Sequence, residues 1–172
     1  MIKIIGAIMI IASTSFIGFL KALTYKNRLV ELYEFQKGIE LFETEVRFTK
    51  SPLSEAFNKI ADNLSGEVSK IFKKFSISYI SSDGQTASVI WNETILNNIN
   101  NLNLTNDDLN IIRDFGVCLG TLDAEGQINS ISSVVSRIES QIETVRGFCN
   151  KNAKLYQSLG VYSGILISVL LI

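Results

Sequence analysis

The 172-residue chain contains no histidine, one proline and two cysteines. The absence of histidine excludes acid–base catalysis by an imidazole and metal binding through imidazole nitrogens. Neither a GxxxxGK(S/T) phosphate loop nor a GxGxxG fingerprint is present, so the common glycine-rich nucleotide-binding patterns are also missing. The formal net charge of -1 provides no basic surface for nucleic acid. The composition therefore argues against nucleic-acid binding, nucleotide binding and histidine-dependent catalysis.

Carboxylates are the remaining groups that could form a metal site or a catalytic pair. Their spacings match no metal-binding loop, and surface carboxylates usually lie on solvated faces or at helix ends. We therefore predict no enzymatic activity, no metal or other cofactor and no small-molecule substrate. A metal-dependent hydrolase is the least favoured of three interpretations of the chain, and the other two are described below. The acidic residues considered are Glu40, Glu43, Glu45, Asp107, Asp108, Asp114, Asp123 and Glu125.

Two uncharged apolar runs lie at the ends of the chain. The first extends from Ile4 to Leu20, and the second occupies residues 155–172. A helix as long as the first run measures about 25 Å, which is near the lower limit of length for crossing a hydrocarbon core of about 30 Å. We predict transmembrane helices at residues 1–20 and 155–172, so the lipid bilayer is one expected partner. The alternatives are a cleaved signal peptide for the first run and a buried soluble helix for the second.

Basic residues predict the orientation of these two helices. Lys21, Lys26 and Arg28 follow the first run, and Lys151 and Lys154 precede the second. By the positive-inside rule, residues 21–154 then form a cytoplasmic domain with both termini on the other side of the membrane.

Two glycines in the second apolar run have the spacing of a helix-packing motif. Gly160 and Gly164 lie four residues apart, which places both on one helix face and permits close approach of another helix. We predict that this face packs against a neighbouring transmembrane helix, and self-association is one way to provide it.

Apolar residues recur at helical spacing along the rest of the chain. The two longest patterns each adjoin an apolar end, so we predict two long helices that continue into the membrane and pack antiparallel. With four shorter helices they form an all-α, antiparallel bundle of about six helices. The first long pattern is Leu29, Leu32, Phe35, Ile39, Phe42 and Val46. The second is Ile128, Ile131, Val135, Ile138, Ile142, Val145 and Cys149.

Polar and glycine residues mark the ends of the shorter helices. We predict that Ser51 caps a second helix with Pro52 at its first position, and that this helix ends at Gly66. Thr105 is predicted to cap the fifth helix with Asp108 three residues later, and Gly120 to end it.

Several short patterns in a fixed order resemble one known family. They are Ile5-Gly6, Gly18, residues 28–32, Glu45-Val46, Ser51-Pro52-Leu53, Ala56, Trp91, Phe115-Gly116, Leu119-Gly120, Asp123, Gln127 and residues 154–161. On these residues the whole chain resembles the stage III sporulation protein AB family of endospore-forming bacteria. Phe48 stands where a tyrosine is expected, and Gln157 where an arginine is expected.

The resemblance implies a structural part of a larger machine. Proteins of this family look like the inner-membrane platform component of type II secretion and type IV pilus systems, whose cytoplasmic domain is a six-helix bundle. The implied location is the outer forespore membrane during engulfment, facing the mother cell. The implied partners are a cytoplasmic secretion-type ATPase and other membrane subunits of the same complex. We therefore expect a non-enzymatic platform that couples the ATPase to those subunits.

Charged and polar residues near helix ends are the expected partner contacts: Glu45, Arg113, Asp114, Asp123 and Gln127. Capping or an ion pair within the bundle would also explain each of them. The second interpretation of the whole chain is a membrane-anchored helical domain for signalling or ligand sensing. It would require a sizeable pocket with convergent polar groups, which periodicity does not reveal.

Overall fold

The computed structural model describes the backbone of residues 2–49, 51–82, 84–120 and 124–171. Side chains are described for residues 19–49, 51–82, 84–120 and 125–149, and for four positions nearer the N terminus. Over these ranges the chain forms six α-helices and two short 3₁₀ helices, with no strand. The predicted all-α class and number of helices are therefore confirmed.

The six helices differ greatly in length because the first and last include the apolar ends. In chain order they are α1 Ile2–Phe48, α2 Leu53–Asn63, α3 Gly66–Ser81, α4 Ala87–Leu96, α5 Asn106–Asp114 and α6 Ala124–Leu171. The 3₁₀ helices are Ile99–Asn101, between α4 and α5, and Phe115–Cys118, directly after α5.

No helix in the described part of the chain carries an apolar stretch long enough to cross a membrane. The predicted spans at residues 1–20 and 155–172 lie on helical backbone whose side chains are largely outside the described residues. These spans, and the boundaries of the predicted domain at residues 21–154, stay predictions.

The chain divides into two compact units. One combines Met1–Leu29 with Thr144–Ile172, and the other is Val30–Glu143. In the first unit, the rings of Tyr25 on α1 and Phe148 on α6 stack with their centroids 6.4 Å apart. The beginning of α1 and the end of α6 therefore lie in the same unit, and the antiparallel packing of the two helices stays a prediction.

The apolar faces of α1 and α6 contribute to the core of the second unit. Leu32, Phe35, Ile39 and Phe42 of α1 are buried, as predicted. On α6 the buried residues of this unit are Ile131, Val134, Ile138 and Ile142. Val135, which the sequence pattern assigned to the buried face, is only half-buried. The helical period falls between three and four residues, so both valines fit the pattern and packing selects Val134.

Aromatic rings fill the centre of the second unit. Trp91 on α4 is fully buried, and its ring meets those of Phe57, Phe72, Phe75 and Phe115 edge to face. The centroid distances are 5.8, 5.4, 5.6 and 5.3 Å. This geometry brings the positive edge of one ring to the negative face of another. Trp91 therefore links α2, α3 and α4 to the second 3₁₀ helix.

The beginning of α2 differs from the prediction by one residue. Pro52, with φ -52° and ψ 140°, is itself the N-cap, and Leu53 is the first helical residue. The Pro52 carbonyl oxygen accepts the first helical hydrogen bond from the Ala56 N–H, at 3.0 Å. Ser51 was therefore wrongly predicted as the cap, because the nonhelical ψ of Pro52 places Ser51 one residue outside the helix.

Gly66 was also assigned to the wrong helix, since α2 ends at Asn63 and Gly66 is the first residue of α3. Its φ of +63° is a left-handed conformation that glycine adopts without steric cost.

The N terminus of α5 follows the prediction closely. The Asp108 N–H donates to Thr105 Oγ1 at 3.4 Å, and the Thr105 N–H donates to Asp108 Oδ2 at 2.8 Å. This reciprocal pair is a capping box. The helix ends at Asp114, earlier than the predicted end at Gly120. The second 3₁₀ helix follows it, and Gly120 beyond has a left-handed φ of +83°.

Candidate partner-binding cleft

A cleft of about 380 Å³ lies in the second unit, where several helices begin or end. Its walls come from the C-terminal turns of α1, the approach to α2 and the first turn of α2. The C-terminal part of α3, Gly120 after the second 3₁₀ helix and the first turn of α6 complete them. The lining residues are Phe42, Glu45, Val46, Ser51, Leu53, Ala56, Tyr79, Gly120 and Gln127. Two of them, Glu45 and Gln127, were predicted from the sequence as partner contacts.

Glu45 is half-buried in the cleft wall, and its Oε2 atom is buried. That oxygen accepts no hydrogen bond from any residue in the described part of the chain. Arg47, two residues later, is engaged by Glu43 through a 2.7 Å ion pair. A buried carboxylate oxygen without a donor is unfavourable, because the water lost on burial has not been replaced. Glu45 therefore places a carboxylate with one unsatisfied oxygen in the cleft wall.

Gln127 is positioned by the residue that ends the second 3₁₀ helix. Its Nε2 donates a 2.7 Å hydrogen bond to the Cys118 carbonyl oxygen. This bond ties the first turns of α6 to the chain just before Gly120, and it holds the Gln127 side chain at the edge of the cleft. The amide adds polarity to the wall without adding charge.

The rest of the wall is mainly apolar and is backed by the aromatic core. Phe42 packs against Phe57 and Phe115, with centroid distances of 5.3 and 5.4 Å. Tyr79 stacks on Phe75 at 5.9 Å. Buried neighbours hold these rings, so the wall of the cleft is rigid, as the walls of binding sites usually are.

The other predicted contacts do not line the cleft. Arg113 is half-buried, and its Nε donates to Asn92 Oδ1 at 2.9 Å. Asp114 is exposed and pairs with Arg137 Nη1 at 2.7 Å. Asp114 is therefore open to a partner, whereas the Arg113 guanidinium joins α5 to α4, and both predicted contacts stay predictions.

Three predicted site residues cannot be placed. Asp123 lies outside the described residues. Gly160 and Gly164 lie within α6, and their surroundings are outside the described part as well. Their predicted contacts stay predictions.

The sequence analysis missed Phe42, Leu53, Tyr79 and Gly120 as cleft residues. A signal was available, because successive antiparallel helices bring the end of one helix beside the start of the next. Ser51-Pro52 and Gly120 mark chain reversals, and these reversals lie at the same end of the bundle. No local pattern, however, identifies Tyr79 as a wall residue.

The described residues contain no group of three or more Asp, Glu or Cys side chains placed to hold a metal ion. A second cleft of about 260 Å³ lies between α3 and α4, where Lys74 Nζ already donates to Asn98 Oδ1. Burial, aided by the charge of Asp114, raises the pKa of the Cys118 thiol above its ordinary value. Cys118 therefore stays protonated near neutral pH and is a poor nucleophile.

These features define an all-helical bundle protein with an aromatic core and an acidic, largely apolar cleft. The family model for stage III sporulation protein AB matches residues 3–172, so the chain belongs to that family. This confirms the resemblance derived from the sequence.

Two relatives show how far the similarity extends. The chain is 27% identical over 171 residues to stage III sporulation protein AB of Bacillus subtilis (strain 168), covering 99% of both chains. A solved structure of stage III sporulation protein AB superimposes with a TM-score of 0.68 at 21% identity, covering 72% of this chain and 96% of that one. At that identity the structural match supports the fold alone.

Proposed function

We propose that this protein is a non-enzymatic platform of a sporulation-specific, secretion-like complex, and that it couples a cytoplasmic ATPase to membrane subunits during endospore formation. The observation that carries the proposal is the family match over residues 3–172, which includes both apolar ends as well as the bundle. Anchored bundles of this kind transmit force through contacts, and they need no catalytic group of their own.

The physical properties of the second unit support an assembly role. Its aromatic core is fully buried and its cleft is preformed, so the surface that meets a partner keeps one shape. A preformed surface binds with less loss of conformational entropy than a mobile one. In this proposal the terminal helices sit in the cell membrane, at the outer forespore membrane, and the bundle faces the mother-cell cytoplasm.

The test is capture of the secretion-type ATPase by the full-length chain, extracted in mild detergent from sporulating cells. We expect the ATPase and membrane subunits of the same complex to be retained. Capture of the membrane subunits without the ATPase, under conditions that keep the rest of the complex together, would refute the coupling role.

The proposed orientation can be tested with an introduced thiol. Asn110 on α5 is exposed, whereas the native Cys118 is only 3% exposed. In a Cys149→Ser background, Asn110→Cys should react with a membrane-impermeant maleimide only after the membrane is opened. Equal labelling in intact sporulating cells would place the bundle on the opposite side.

The cleft also favours a second candidate function, a membrane-anchored domain that senses a small ligand. Its volume of about 380 Å³ lies within the range of small-molecule sites, about 300 to 1,000 Å³. Native mass spectrometry of the purified full-length chain would separate the candidates, since a sensor should release a defined small molecule from the intact protein. The platform proposal predicts only the polypeptide and its lipids.

A further inference from the structure

We infer that the cleft receives an arginine side chain from a partner subunit. Its guanidinium pairs with the Glu45 carboxylate, and its aliphatic stem lies along the apolar wall. The inference rests on the proposed platform function and specifies the chemistry of one partner contact.

Charge complementarity is the first argument. Among the described residues that line the cleft, Glu45 is the only formally charged one. Its buried Oε2 lacks a donor from the described residues, and Arg47 is paired with Glu43. A cation entering the cleft would neutralise the carboxylate and donate a hydrogen bond to it. Charge-assisted hydrogen bonds of this kind are about twice as strong as neutral ones.

The walls favour arginine over lysine. A guanidinium is planar, weakly hydrated and able to donate two parallel hydrogen bonds to one carboxylate, whereas an ammonium is a compact and strongly hydrated charge. Tyr79 adds an aromatic ring to the same cleft, and guanidinium groups pack favourably on such rings. Phe42, Val46 and Leu53 provide apolar surface for the methylene stem.

A protein partner fits better than a free cation. The cleft combines one charged group with several apolar side chains, and a free cation without a stem would leave that apolar surface in contact with water. Arginines that enter desolvated pockets are among the residues that contribute most to protein interfaces. The proposed occupant is therefore an arginine flanked by apolar residues on an exposed partner segment.

The probe is a fluorescein-labelled peptide, Leu-Ala-Arg-Leu-Ala with blocked ends, titrated against the full-length chain in detergent micelles. Its control peptide carries citrulline, a neutral isostere, in place of arginine. We expect the arginine peptide to bind at least about tenfold more tightly by fluorescence anisotropy, the ratio expected for one charge-assisted contact. Equal binding of the two peptides, or binding of neither, would overturn the inference.

Glu45→Gln should remove the preference for arginine, because the amide has the same shape without the charge. Glu40→Gln is the matched control five residues away on the same helix, and it should keep the preference because Glu40 is exposed and does not line the cleft. A preference that survives in Glu45→Gln would show that the cation binds elsewhere. Thermal unfolding of each variant verifies that the bundle is intact.

A second variant keeps the test decisive if Glu45→Gln fails to fold. Ser51 lies outside the helices on the cleft wall, so Ser51→Phe should narrow the cleft and weaken the arginine peptide about tenfold while Glu45 remains. Unchanged binding by this variant would exclude the cleft. If the native chain fails to capture the ATPase but still prefers the arginine peptide, only the platform role is refuted. If it captures the ATPase but shows no preference for the arginine peptide, only the arginine occupant of the cleft is refuted.

Discussion

The indole Nε1–H of Trp91 donates a 2.8 Å hydrogen bond to the backbone carbonyl oxygen of Ile112. Trp91 lies on α4 and Ile112 near the end of α5, and both are fully buried. One side chain thus fills the centre of the aromatic core and also fixes the position of α5. Because of this dual role, substitution of Trp91 should lower the stability of the bundle.

Trp91→Phe should lower the free energy of unfolding by about 2 to 3 kcal/mol. It removes buried ring volume and leaves the Ile112 carbonyl oxygen without its indole donor. Urea unfolding of the full-length chain would measure the change. Val89→Ala, on the exposed side of the same helix, should change the free energy by less than about 0.5 kcal/mol. Equal effects of the two substitutions would contradict the central role of Trp91.

Two helical glycines should respond oppositely to alanine. A Cβ atom at Gly38 on α1 would lie 2.6 Å from Phe72 Cζ, and Phe72 is enclosed by other rings, so Gly38→Ala should destabilise by about 1 to 3 kcal/mol. A Cβ atom at Gly147 on α6 would meet nothing within 4 Å. Gly147→Ala should therefore stabilise by about 0.5 to 1 kcal/mol, because alanine favours the helix. Urea unfolding measures both, and stabilisation by Gly38→Ala would show that the core tolerates overpacking.

The capping box can be tested against a second threonine at an N-cap. Thr105→Ala removes the side-chain acceptor for the Asp108 N–H and should cost about 1 kcal/mol. Thr86 occupies the N-cap of α4 and makes no side-chain capping bond, so Thr86→Ala should cost only a few tenths of that amount. Chemical unfolding of the two variants provides the comparison. A larger loss at Thr86 would be inconsistent with the capping geometry.

Glu31 should make stability depend on pH. Desolvation by burial raises its pKa above the ordinary value of 4.5, with a smaller contribution from Glu67, and hydrogen bonds from Asn103 only partly oppose the shift. A raised folded-state pKa means that the protonated form stabilises the fold, and this stability is lost as pH rises through the folded pKa.

Glu31→Gln has no such titration. The melting temperature of Glu31→Gln minus that of the native chain should therefore increase from pH 4 to pH 7. Differential scanning calorimetry at several pH values would measure the difference. A difference that stays constant or falls with pH would contradict the assignment.

Asp114 is the best-placed residue for testing the predicted partner contacts. Its ion pair with Arg137 is exposed, with side-chain accessibilities of 52% and 47%, so Asp114→Asn should cost less than about 1 kcal/mol. Reduced ATPase capture by this variant would then report a lost contact and not misfolding. Arg137→Gln is its control, since it breaks the same ion pair but keeps Asp114. If both variants lose capture equally, the ion pair and not Asp114 itself is required.

Local patterns predicted the parts of the fold that depend on neighbouring residues. Thr105 and Asp108 form a capping box because three residues of helix bring them together, and the spacing of Leu32, Phe35, Ile39 and Phe42 marks one face of α1. The misplaced start of α2 shows the limit of this reasoning. Serine and proline both suit a helix start, and only the backbone dihedral angles distinguish the cap from the residue before it.

The candidate cleft was predictable only in part. Glu45 and Gln127 were identified from family resemblance and from their positions near helix ends, but 81 positions separate them in the chain. No local pattern identifies Tyr79 or Leu53 as a wall residue, and Gly120 marks only a chain reversal. They become wall residues because the packing of the bundle brings these separate segments to one place.

The sequence by itself determined the all-helical class, the number of helices and most of the buried faces, because helix formation and amphipathic spacing depend on residues three or four positions apart. The tertiary structure alone decided that Val134 and not Val135 is buried and that Trp91 donates a hydrogen bond to Ile112. It also decided that one Glu45 oxygen, in the wall of a cleft, has no donor among the described residues. These features arise from contacts between segments distant in the chain. Such contacts depend on shape and on the competition of many side chains for one space, which no local pattern encodes.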